Sequence, residues 1–139
     1  MSATPPLSLR HLALWLTPSA FAPTVQFYRE VLGMALHWQP DDDNVYLTSG
    51  TDNLALHRVP EGRTIEHERG ALDHLGFVVA DAAAVHTWFV RVAASGVAIV
   101  APVKTHRDGA TSFYFRDPAG HLVQIIHIPE LDGPHRAAD

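Results

Sequence analysis

The 139-residue sequence contains no cysteine. Disulfides, thiolate metal ligands and cysteine nucleophiles are thereby excluded, and any chemistry falls to histidine, carboxylate, amide and hydroxyl groups. No apolar run approaches the ~20 residues needed to cross a bilayer. The opening MSATPPLSLR also lacks the basic segment and apolar stretch of a secretory signal. The expectation is a cytoplasmic protein with no membrane partner. Positive charge is scarce as well, with 10 Lys and Arg against 15 Asp and Glu. Displacing counterions from phosphates needs clustered cations, so nucleic acid is not an expected partner. Hydrophobic residues make up 47% of the chain, enough for one domain with a real core. The abundance that stands out is ten histidines, several of them inside apolar, strand-like runs.

One pattern occurs twice. Leu9 to Leu16 reads LRHLALWL, and 63 residues later Leu72 to Val79 reads LDHLGFVV, each with histidine in third place. Both suit a strand in length and composition. A helix is expected after each. The first runs from about Phe21 to Leu32, with Pro23 near its start, Gly33 past its end, and Val25, Tyr28, Val31 and Leu32 on one face. The second runs from about Ala82 to Ala94, capped by Asp81 and followed by Gly96, burying Val85, Trp88, Phe89 and Val92.

Three short strands are expected after each helix, near 35–39, 45–48 and 53–59, then near 97–103, 112–116 and 122–128. Turn chemistry at Ser49-Gly50-Thr51-Asp52 and at Asp117-Pro118-Ala119-Gly120 joins the last two of each set. The class is α+β, built from a duplicated βαβββ module. Four strands with one helix leave a sheet face uncovered, so two curved mixed sheets forming a trough with helices outside are expected. The domain spans about 7–132, with module 1 at 9–60, a polar linker at 61–70 and module 2 at 72–129. Residues 1–6 and 133–139 read as loose termini.

A lone strand histidine most often faces solvent or bonds a carbonyl. His11 and His74, however, hold matched places in the two copies, and rings related by a pseudo-twofold axis converge. Neutral imidazoles are ordinary ligands for Zn, Ni, Co, Mn or Fe. In LVQIIHIP, Gln124 interrupts an apolar strand and needs a partner, since an unpaired buried amide costs roughly 1–3 kcal/mol. In NLALHRVP, Ala55 and His57 share a face by strand alternation, and His127 points away from Gln124 by the same rule.

RHLALWL, FYREVLGM, LDHLGFVVAD and SFYFRDPAGHLVQII together resemble segments of the vicinal oxygen chelate superfamily, the glyoxalase, bleomycin-resistance and extradiol dioxygenase relatives. The resemblance covers about 9–128. It implies paired βαβββ modules with one divalent metal per pocket, held by residues of the first and last strands. Carried over, these are His11, His74, Gln124 and either Ala55 or His57, with His57 preferred because only it can ligate. The resemblance further implies a small-molecule substrate and a homodimer.

Glyoxalase I members place glutamates at last-strand positions, where this chain has Gln124 and Ala55 or His57, which argues against that particular activity. The reading is a metal-dependent enzyme of lyase, isomerase or dioxygenase type acting on a small oxygenated molecule. His57 serves as ligand or general base, while Tyr114 and His106 contact substrate. Glu66 and Glu68 of the linker are available as a replacement base. The alternative is a metal-free binding protein of the bleomycin-resistance type, with Trp15, Trp38 and Phe113 lining the pocket.

Overall fold

The computed structural model describes residues 3–65 and 70–132, so Glu66 and Glu68, like most of the two termini, lie outside the described residues. The chain divides into two compact units, Met1–Ile65 and Glu66–Asp139. The first contains β1 (His11–Leu16), α1 (Pro18–Glu30), β2 (Ala35–Asp41), β3 (Asn44–Thr48) and β4 (Asn53–Arg58). The second contains β5 (Leu75–Val78), α2 (Ala82–Ala94), β6 (Ile99–Thr105), β7 (Thr111–Arg116) and β8 (Leu122–His127), closed by a 3₁₀ turn at Pro129–Leu131. Each unit is a βαβββ module with a four-stranded mixed sheet, ordered β1-β4-β3-β2 and β5-β8-β7-β6. The fold class is α+β. In both sheets the first strand pairs in parallel with the last, and the other pairings are antiparallel.

α2 occupies the expected span because its ends are written locally. Asp81 accepts a hydrogen bond from the Ala84 amide at 2.7 Å, and Gly96 takes φ +89° just beyond the last turn. α1 begins three residues earlier than expected. Pro18 fills its first position, where a missing N–H costs nothing, and Pro23 falls inside the helix. Its buried residues are Phe21, Thr24, Phe27 and Tyr28, whereas Val25, Val31 and Leu32 are only half-buried. Two phenylalanines offer more apolar area than the valines, so the phenylalanine face turns to the sheet.

Three strand ends also differ from expectation. β1 starts at His11, leaving Leu7 and Leu9 exposed. β5 has four residues, so His74 stands just ahead of it rather than within it. β6 runs on to Thr105, because irregularities between Ile99, Ala101 and Lys104 shift its pairing with β7 and bring Lys104 opposite Ser112.

The helix-facing side of each sheet makes the core. In unit 1 this is Leu14, Leu16, Val45, Leu47, Leu54 and Leu56, and in unit 2 it is Phe113, Phe115, Val123 and Ile125. Each such side chain contributes roughly 1.5–3 kcal/mol by burial. Phe113 is fully buried and meets Phe89 edge to face at 5.3 Å between ring centroids, so it packs the core and does not line the open face. No helix among the described residues is long and apolar enough to cross a membrane.

Candidate functional site

In unit 1, strand alternation sends His11, Ala13 and Trp15 of β1 to the face opposite α1. Their partners Asn53, Ala55 and His57 on β4 share it, followed by Asn44 and Tyr46 on β3. Trp38 of β2 pairs with Tyr46, their rings 5.1 Å apart. His57 lies between Trp15 and Tyr46, at 5.6 and 5.7 Å from their rings, and the Arg63 guanidinium covers Trp15 at 4.6 Å. This face is therefore aromatic, with Trp15 43% and Trp38 56% exposed.

In unit 2, the side facing away from α2 carries Gly76 and Val78 of β5, Ser112 and Tyr114 of β7, and Gln124 and Ile126 of β8. His74 packs edge to face on Tyr114 at 5.4 Å, and Tyr114 is the cross-strand partner of Gln124. Gln124 is buried, and its amide has no hydrogen-bond partner among the described residues. It opens instead on a cavity of about 610 Å³ lined also by Lys104, His106, Arg107, Tyr114 and Ile126. His127 points to the other face and bonds Asp132 at 2.8 Å. A larger cavity of about 760 Å³ in unit 1 lies on the helix side, against Phe21, Val25 and Met34, and holds none of the expected site residues.

The two registers decide between Ala55 and His57. His11 pairs with Asn53 and Ala13 with Ala55, while Gly76 pairs with Gln124, two places beyond His74. Ala55 is thus the unit 1 equivalent of Gln124, and His57 corresponds to Ile126. His57 sits opposite Trp15, four residues beyond His11, which at ~3.3 Å per residue is about 13 Å along the strands. This corrects the preference for His57 over Ala55 at that position.

The hydrogen bonds of the rings bear on metal binding directly. The Nδ1 atoms of His11, His57 and His74 each meet a side-chain oxygen: Asn53 at 2.8 Å, Asn44 at 2.6 Å and Asp73 at 2.6 Å. With Nδ1–H donating to that oxygen, Nε2 keeps its lone pair outward, the arrangement usual for a ligating imidazole. His106 is tied differently, with Nε2 at 3.1 Å from Ser112 Oγ. The buried His121 directs Nδ1 to Asp117 and braces the turn before β8. Within either unit, no three His, Asp or Glu side chains among the described residues gather as a metal site. The outward Nε2 atoms of His11 in unit 1 and of His74 in unit 2 are each of a type that suits a divalent transition ion.

Sequence patterning did not single out Asn53, Asn44 or Asp73. Asp73 directly precedes His74, and Asn53 and Asn44 open their strands; only the pairing partners identify them.

Comparison with known proteins agrees with this architecture. The model of the Glyoxalase/Bleomycin resistance protein/Dioxygenase superfamily matches residues 8–125. The glutathione transferase FosA of Serratia marcescens is 30% identical over 126 residues, covering 89% of this chain and 82% of that protein. The lactoylglutathione lyase of Agrobacterium tumefaciens superposes with a TM-score of 0.72 at 23% identity, over 89% of this chain and 96% of that one. A glyoxalase-related enzyme from Fulvimarina pelagi gives 0.71 at 22% identity, over 96% and 99%. At such identities the two structures speak for the fold. The duplicated βαβββ module and the match across both copies lead to one conclusion: the chain belongs to the glyoxalase/bleomycin resistance protein/dioxygenase superfamily.

Proposed function

We propose that the protein is a divalent-metal-dependent enzyme acting on a small oxygenated molecule, with His11, His74 and Gln124 as metal donors. The observation that carries this is the orientation of the rings: oxygen acceptors hold Nδ1 of His11 and His74 and leave Nε2 free. The metal, when bound, would supply Lewis-acid stabilisation of charge developing on a substrate oxygen. Gln124 is neutral, so it offers an oxygen donor without a base's proton affinity, and lyase chemistry of the glyoxalase I kind lacks its carboxylate. His57 is the candidate general base, its Nδ1 held by Asn44 and its ring fixed between Trp15 and Tyr46. Tyr114 is the residue proposed to contact substrate through its phenol, a reading supported by its neighbours His74 and Gln124. His106 shares that cavity, where its ring is steadied by Ser112.

A second reading, a metal-free binding protein, is favoured by the exposed aromatic face of Trp15, Trp38 and Tyr46. The two separate on a panel of small diols, hydroxyketones and epoxides, offered with and without glutathione because the relative from Serratia is named for its transfer. Turnover by the metal-loaded protein that falls at least about 100-fold in His74→Ala supports the enzyme. Saturable quenching of tryptophan fluorescence by a ligand that is never turned over, equal with and without metal, supports the binding protein. We further propose a cytoplasmic homodimer.

A further inference from the structure

Beside the β2–β3 turn a carboxylate, an amide and an imidazole form a row across three strands of unit 1. Asp41 on β2 is the cross-strand partner of Asn44 on β3, and Asn44 is the partner of His57 on β4. The Asn44 amide nitrogen donates to both carboxylate oxygens of Asp41, at 2.8 and 3.1 Å. Its oxygen lies 2.6 Å from Nδ1 of His57. An amide fits its site either way round, but an ionised carboxylate only accepts, so the end facing Asp41 is the NH2 group. The end facing His57 is then the oxygen. A neutral ring with an oxygen acceptor at Nδ1 carries its proton there and leaves Nε2 bare.

Asp41 is itself fixed, since its Oδ1 also accepts the Asp43 amide at 2.8 Å across the turn. Arg58 ties the turn to β4, its backbone amide donating to the Asp43 carbonyl at 2.8 Å and its guanidinium to the Asp43 carboxylate at 3.0 Å. That cation is engaged by Asp43, and Asp41 meets none among the described residues. Asn53, the partner of His11, has no such carboxylate behind its amide among the described residues. Nε2 of His57 has no hydrogen-bond partner among them either, while Trp15 and Tyr46 flank the ring.

We infer that Asp41 is a positioning residue for His57: through Asn44 it selects the imidazole form protonated at Nδ1 and presents Nε2 as the proton acceptor. Asp41 touches no substrate and takes up no proton. A proton removed by His57 goes to Nε2, and Nδ1–H donates to the Asn44 oxygen before and after the transfer. The inference rests on the proposed function in taking His57 as a base, and its test is chosen to stand apart from that reading.

The test follows the imidazole nitrogens of His57 by nitrogen-15 NMR in metal-free protein with the ring neutral, the resonances being assigned through His57→Gln. Wild type should show a protonated Nδ1 and a bare Nε2. Asp41→Ala frees Asn44 to turn its NH2 group toward the ring, and the ratio of the Nδ1–H to the Nε2–H form should fall at least about fivefold. Adding Asn44→Asp to Asp41→Ala places an acceptor-only side chain beside Nδ1 and should restore the wild-type ratio. A merely structural role for Asp41 gives no such rescue. A wild-type ring protonated at Nε2, an unchanged ratio in Asp41→Ala, or a double variant no better than the single one overturns the inference. The expected ratios together with unimpaired turnover in His57→Gln would retain the positioning of the ring and remove the base. Turnover that requires His57, with the ratio unmoved in Asp41→Ala, would do the reverse.

Discussion

The Asp73 carboxylate holds the His74 ring at 2.6 Å, although it is itself 90% exposed. Partners of this kind, when sheltered, tune metal affinity about 10–100-fold, and exposure to water places Asp73 at the low end. Asp73→Asn should weaken metal binding about tenfold and leave the melting temperature unchanged, as calorimetric titration and a thermal scan would show. Gln124→Glu should act in the opposite sense. A carboxylate in place of the amide adds a negative charge to the donor set and should tighten binding of Mn or Zn by at least about tenfold. Equal affinities in wild type and Gln124→Glu would remove Gln124 from the site. The place of Ala55 was legible without a structure: aligning Val59-Pro60 with Ile128-Pro129 sets Ala55 against Gln124. The acceptors on Nδ1 were not legible, because Asn44 and Asn53 meet their histidines only through strand pairing.

At the scale of elements, what the sequence shows depends on how locally each boundary is encoded. Asp81 and Gly96 mark α2 on both sides, and its span follows from them alone. α1 has two prolines, and its cap residue Thr17 makes no side-chain hydrogen bond, so no local cap marks the start at Pro18 and the reading falls on Pro23 instead. β6 ends where irregular pairing with β7 allows, which is a property of two strands together. The same contrast sets a stability prediction. Asp81→Ala removes a bond to the first turn of α2 and should cost about 1 kcal/mol, or about 4 °C in Tm by thermal denaturation. Phe113→Ala, deleting a fully buried ring against Phe89 and Phe115, should cost about 3–5 kcal/mol in urea unfolding. A cost under about 1 kcal/mol would instead fit a ring lining an open, already hydrated surface.

For the whole molecule, duplication was the most legible feature, because two copies of one pattern give each other context. A histidine in one strand says little, but matched histidines 63 residues apart frame both modules. The fold class and superfamily follow from that repeat and from the match over residues 8–125. Every residue of β2 is exposed along the edge of its sheet, an arrangement that invites pairing with another chain. The proposed homodimer should therefore show twice the 15.2 kDa chain mass in light scattering at micromolar concentration, and a single-chain mass throughout that range would refute it. What most directly tests the metal-centred reading is elemental analysis of untagged protein purified without chelators, beside His74→Ala of equal circular dichroism. About one transition-metal ion per chain, lost in the variant, is the expected result. No metal, even after incubation with Zn, Ni, Co, Mn and Fe(II), or a full complement retained by His74→Ala, would contradict it.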